Sequence, residues 1–200
     1  MIAHFENIID QLEKGCNVDV VYLDFCKAFD KLDFNTLLSK LKQIGVTGNL
    51  GRWLHSFLTG RKQYVTVNGF RSFLFDVMSG VPQGSVLWPL LFIIFINDID
   101  KEVVNSFLAS FADDTRISKG VKHQADIVQF QEDLNKVYLW AEQNSMVLNT
   151  SKFERIQYGK KESLLSSELV TSSGEKLLPQ ENVKDLGSVH ELKWYLLVSY

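Results

Sequence analysis

The chain has 200 residues, 46% of them hydrophobic and 22% charged, with a net charge of −3 at pH 7. That is an ordinary globular composition, long enough for one good core, and neither Gly nor Pro is frequent enough to mark a long disordered segment. The longest apolar run, VLWPLLFIIFI at 86–96, is shorter than the ~18–20 residues of a membrane span, so it reads as a buried helix and no membrane contact is expected. The first fifteen residues lack the basic-then-apolar order of a secretory leader. Cys16 and Cys26 form neither a disulfide framework nor a zinc spacing, so an intracellular chain, nuclear or cytoplasmic, is expected.

Ile2, Phe5, Ile8, Ile9 and Leu12 recur at helical spacing, and Gly15 closes that segment. VDVVYLDF at 18–25 predicts a buried strand ending near Asp24. Asp33 is placed to cap a helix carrying Leu37, Leu38, Leu41 and Ile44, with Gly45 after it. A second helix carries Leu50, Trp53, Leu54, Phe57 and Leu58 and stops at Gly60. KQYVTV and FRSFLFDV then flank Asn68-Gly69, the signature of a two-residue hairpin turn. SGVPQGS at 79–85 predicts a loop; Ser85 is a candidate cap for the apolar helix that follows, and Pro89 falls in its first turn, where proline is tolerated. A tight hairpin is expected at 106–118, turning on Ala112 and Asp113. A helix at 123–143 sets Ile127, Phe130, Leu134, Val137 and Trp140 on one face, and two short strands follow at 146–149 and 153–158. From about residue 160 the pattern weakens into a Ser-rich, degenerate tail. Strands and helices mix without a regular βαβ period, so the expected class is α+β, a single domain over 1–200.

Charge is unevenly spread. No acidic residue lies between Asp33 and Asp76, an interval holding Lys40, Lys42, Arg52, Arg61, Lys62 and Arg71, which leaves −9 on the remainder. Such a division suits a phosphate-contacting face beside an acidic site, or equally a solvated surface. Asp24 ends one predicted strand, and Asp113 and Asp114 sit at a predicted turn. Adjacent carboxylates repel and raise each other's pKa unless a cation is present. Hard oxygen ligands of this kind suit magnesium, and two ions ~3.5–4 Å apart can activate a hydroxyl and stabilise a leaving phosphate. An isolated Asp-Asp pair would also be explained by the preference of Asp for turns. Asp33 reads as a cap, Asp30 stays unassigned, and none of His4, His55, His123 and His190 is spaced for a metal.

VYLDFCKAFDKLDFNTLLSKL, SGVPQGSVLWPLLFIIFINDI, LASFADDTRI and LNTSKFERIQYG follow one another in this order. Together they closely resemble the palm of reverse transcriptases from non-LTR, LINE-type, jockey-like retrotransposons, over about residues 5–187. The resemblance implies a right-hand polymerase palm, an antiparallel sheet backed by helices with partial fingers. It also implies an RNA-directed DNA polymerase in which a primer 3′-hydroxyl attacks the α-phosphate of a dNTP, with RNA template, DNA primer and Mg2+ or Mn2+ as partners. Asp24, Asp113 and Asp114 match the metal-binding catalytic aspartates, and the carbonyl of Phe25 would add an oxygen ligand. Phe29 matches the steric gate that rejects a 2′-hydroxyl; Gln83 and Gly84 match the loop packing on the nucleotide; Lys152 matches the lysine protonating the departing pyrophosphate. VKDLG at 183–187 looks like the start of the primer-grip hairpin, and Arg52, Arg61, Lys62 and Arg71 would contact the nucleic-acid backbone.

The chain departs from the family pattern at Cys26 (usually Ser), Phe34 (commonly His) and Trp88 (a Gly, where an indole could crowd the nucleotide loop or its helix). The pattern fails after Gly187, and the resemblance implies a segment short at both ends, without most of the fingers or the thumb. The alternative reading is therefore a catalytically inactive palm remnant that at most binds nucleic acid or a protein.

Overall fold

The computed structural model describes residues 2–82, 84–159, 168–185 and 188–191, with 182–185 and 188–191 described by backbone alone. Two compact units emerge: 1–26, 99–142 and 147–200 form the first, 27–98 and 143–146 the second.

The first unit is built on a four-stranded antiparallel sheet of β1 (Asn17–Leu23), β6 (Phe107–Phe111), β7 (Asp114–Val121) and β8 (Glu154–Tyr158), in the order β6-β7-β1-β8. β1 has a neighbour on each side, so both its edges are hydrogen-bonded, and five of its seven residues are buried, the charged Asp19 among them. Val18 and Val20 point to one face with Ile156 and Tyr158, and helix α1 (Ile2–Glu13) closes that face with Ile8. Val21, Leu23 and Ile117 are buried on the other. Phe25, just past β1, meets Trp140 of helix α5 (Gln124–Gln143) edge to face at 6.5 Å. All five apolar residues expected on the α5 face are buried.

In the second unit, α2 (Phe34–Gln43) begins where Asp33 accepts a 2.7 Å hydrogen bond from the Thr36 N–H, the expected cap. Helix α3 (Gly48–Leu58) buries Leu54 and Leu58, but Leu50 and Trp53 stand more than half exposed, Trp53 stacked on Phe57. The hairpin of β2 (Lys62–Gln63), β3 (Thr66–Val67), β4 (Phe70–Arg71) and β5 (Phe75–Asp76) turns on Asn68 and Gly69, both at positive φ, as a type I′ turn requires. Helix α4 (Leu87–Ile96) holds Pro89 in its first turn. Among the described residues no helix is long and apolar enough to cross a membrane.

Three local expectations are corrected. Residues 146–149 make no strand; only a single bridge, Phe25 to Leu148, forms there, because the next residues wind into a 3-10 turn at Thr150–Lys152. Ser85 does not cap α4: its hydroxyl donates to the Pro82 carbonyl instead. Lys40 is not a surface cation. It is buried in its own unit, donating to the Phe95 carbonyl and to Asp98, each at 2.7 Å. In the tail, β9 (Leu169–Val170) pairs with β10 (Lys176–Leu177), and β11 (Asn182–Asp185) pairs antiparallel with β12 (Ser188–Glu191); Leu186 and Gly187 of the VKDLG stretch lie outside the described residues.

Asp133 ties the start of β6 to α5. Its fully buried carboxylate accepts from the Asn105 N–H at 2.7 Å and from Lys136 at 3.2 Å. Burial pushes this carboxyl up, but the Asn105 backbone bond and its other donors outweigh that and hold it below the usual range. A depressed folded pKa contributes stability that is present above the unfolded value of about 3.9 and lost as pH falls through the folded one. Asp133→Asn should therefore cost about 1–3 kcal/mol at pH 7. The gap between wild-type and variant urea midpoints should narrow below pH 4; a gap unchanged at pH 3 would contradict this.

Candidate active site

β1 delivers Asp24 at its C-terminal end, and the β6–β7 turn delivers Asp113 and Asp114. The turn has two residues, Ala112 and Asp113, as expected, and Ala112 takes a left-handed φ of 54°. For a residue with a Cβ that conformation costs of order 1 kcal/mol, so the hairpin around it must hold it in place. The register pairs Leu23 with Thr115, which puts Asp24 beside Asp114 in the next position of the ladder. Tyr22 pairs with Arg116 and with Glu154, so all five side chains share the sheet face that Asp24 and Asp114 define.

Asp24, Asp114, Tyr22, Arg116, Lys152 and Glu154 line a cleft of about 420 Å³ within the first unit. The Lys152 ammonium lies 3.4 Å from a carboxylate oxygen of Asp24 and is two-thirds exposed. Burial raises the Asp114 pKa, Asp113 and Asp24 raise it further, and Arg116 opposes them. Asp113 is half-buried in the turn beside Asp114 and does not line the cleft. The bridge beyond β1 uses the Asp24 carbonyl, which accepts from Asn149, and the Cys26 N–H, which donates to Val147; neither bond occupies the Phe25 carbonyl.

Among the described residues no three or more His, Cys, Asp and Glu side chains are gathered closely enough to enclose a metal ion. A hard divalent ion needs less than that: one or two carboxylates, waters and substrate phosphates suffice for magnesium. Asp24 and Asp114 meet that requirement in kind, as two carboxylates on one wall, with the Asp114 pKa raised by burial and by the neighbouring Asp113 and Asp24 charges.

The remaining expected residues lie in the second unit. Phe29 is held between Trp88 and Phe92, with ring centroids at 4.3 and 4.4 Å. The indole that replaces the family glycine thus packs on the expected gate. Loop 79–85 is pinned to the same segment: Gly80 donates to Leu32, Val81 to Phe29 and the Ser79 hydroxyl to Asp30. A Cβ at Gly80 would come within 2.7 Å of the Asp30 carbonyl, so only glycine fits there. Gly84 is exposed at φ 81° with open space around it, and Gln83 lies outside the described residues. Of the expected backbone-contacting cations, Arg61 is half-buried and engaged with the carbonyls of Leu58 and Gly80 and the ring of Phe34. Arg52, Lys62 and Arg71 are exposed; Arg71 lies over the Tyr64 ring. Sequence reading missed Arg116 and Glu154 as cleft residues. The signal for Arg116 was present, since a residue two places after Asp114 on a strand shares its face.

Residues 4–189 match the family described as "Reverse transcriptase (RNA-dependent DNA polymerase)". The chain is 33% identical, over 68% of its length, to the RNA-directed DNA polymerase from mobile element jockey of Drosophila melanogaster. It is 29% identical, over 90% of its length, to the jockey enzyme of Drosophila funebris. It spans 16% and 20% of those two relatives. Its fold matches telomerase from Candida albicans, solved with a fragment of telomeric RNA, at a TM-score of 0.63 and 13% identity, over 93% of this chain and 32% of that one.

Proposed function

The chain belongs to the reverse transcriptase (RNA-dependent DNA polymerase) family, and on that premise we propose that it is the palm of an RNA-directed DNA polymerase of a jockey-like non-LTR retrotransposon. The observation that carries this is the pairing of Asp24 and Asp114 on one face of the sheet, lining one cleft with Lys152. Reverse transcriptases generally use divalent metal ions, and Mg2+ or Mn2+ is proposed here, held by Asp24, Asp113, Asp114 and the Phe25 carbonyl. When bound, the metal supplies charge neutralisation at the reacting phosphate and activation of the primer hydroxyl.

The chain's own residues do the rest. Asp24 and Asp114 set the negative wall on which the cations assemble. Lys152, exposed on a flexible stem beside Asp24, is placed to hold a proton for the leaving pyrophosphate. Phe29, clamped by Trp88 and Phe92, is the bulk that rejects a ribose 2′-hydroxyl, with Gln83 and Gly84 against the nucleotide. RNA template and DNA primer are the proposed partners, their phosphates met by Arg52, Lys62 and Arg71. Arg61 is committed to local carbonyls and is a weaker candidate. An intracellular site of action follows from that substrate.

The test is primer extension on an RNA template by a chimera in which residues 4–189 replace the matching segment of a jockey relative. The chimera should incorporate dNTPs, and its Phe29→Val form should accept ribonucleotides at least about tenfold better while keeping dNTP use. No synthesis by the chimera contradicts the function. Unchanged sugar discrimination removes Phe29 as the gate.

A further inference from the structure

Two cations line the acidic cleft, and they differ in freedom. Lys152 is two-thirds exposed on a long flexible stem, so it can swing away from Asp24. Arg116 cannot. It lies in the middle of β7, paired with Ala109 on one side and Tyr22 on the other. It is 2% exposed, and its guanidinium lies 5.9 Å over the Tyr22 ring. A guanidinium also stays charged at any working pH. Strand alternation puts it on the face of Asp114, two residues earlier, and of Tyr22, two residues before Asp24.

We propose that Arg116 is the resident counter-charge of the cleft, a positioning residue that keeps divalent-ion affinity low in the absence of nucleotide. The proposal rests on the reading of the Asp24–Asp114 cleft as the metal-binding site. A divalent ion entering alone adds its charge to a fixed positive charge that packing holds in place. An ion entering with a triphosphate brings compensating negative charge, so occupancy becomes coupled to substrate. Removing the guanidinium leaves the carboxylates with less compensation and frees them to accept a metal. Lys152 exerts a weaker effect, because turning it into solvent costs little.

The experiment is Mn2+ titration of the 200-residue chain, followed by the electron paramagnetic resonance signal of free Mn2+ at fixed ionic strength without nucleotide. Arg116→Met should bind Mn2+ at least tenfold tighter than wild type. Lys152→Met should gain less than threefold, and Arg116→Lys, which keeps the charge, should stay within about threefold of wild type. Arg116→Met should also gain more in thermal midpoint on adding Mn2+, since a ligand stabilises the state it binds. If Arg116→Met is unfolded without metal, the proposal requires that Mn2+ restore its fold; failure to do so counts against it, as does an affinity within twofold of wild type. A chain whose Mn2+ binding is the same after Asp24→Asn with Asp114→Asn would instead remove the cleft reading beneath the proposal.

Discussion

Asp24→Asn in the chimera, or Asp113→Asn together with Asp114→Asn, should lower primer extension by about 10³-fold or more, equivalent to about 4 kcal/mol of transition-state stabilisation. Asn keeps the shape of Asp and removes its charge, so the effect isolates electrostatics from packing. Charge matters here because the reaction develops negative charge on phosphate oxygens, and the cations that neutralise it need anionic ligands in fixed positions. The cleft meets that need with rigid elements: Asp24 follows the central strand β1, and Asp114 opens β7, which is paired with β1 on one side and β6 on the other. Folding should survive, because Asp24, Asp113 and Asp114 are all at least partly exposed. Circular dichroism and thermal midpoint check this. Either variant retaining more than a tenth of wild-type extension would mean that the chemistry is carried elsewhere.

The second large effect is expected at Arg155, and it concerns stability. Its guanidinium makes two hydrogen bonds to Asp19, at 2.8 and 2.7 Å, and a third to the Leu177 carbonyl at 2.9 Å. Both side chains are about 2% exposed or less. Gln180 donates its N–H back to the Arg155 carbonyl, so this one residue ties β1, β8 and the segment after β10 together. Removing one member of a buried pair leaves the other charge desolvated and uncompensated. Arg155→Met should cost about 3–5 kcal/mol in urea unfolding, whereas Asp19→Leu combined with Arg155→Met should recover most of that loss. A double variant as unstable as the single one would show that the loss is packing rather than an orphaned charge.

Much of this protein follows from its residues taken in order. The periodicity of α5 named the five apolar residues that are buried, Asn68-Gly69 specified its own turn, and Asp33 its own cap. Those signals operate between residues two to four positions apart, which is why they are readable in a line of text. The order of the motifs likewise carried the family and the residue types of the cleft. Register and burial lie beyond that range. Nothing local to Asp24 says that its strand runs between β7 and β8, which is what puts it beside Asp114 and turns two distant carboxylates into one acidic wall. The basic stretch gave no sign that Lys40 would be buried against Asp98, 58 residues on, or that Arg61 would be spent on carbonyls. The stripe on α3 did not show that Leu50 and Trp53 face outward. Nor could it be read that Arg116 would be enclosed and Lys152 left exposed beside Asp24, or that Arg155 would meet Asp19 across 136 residues. A charge on a chain is only a type. Whether it serves a ligand, a partner or the fold depends on which groups the tertiary structure brings within a few ångströms of it and on how much water it leaves there.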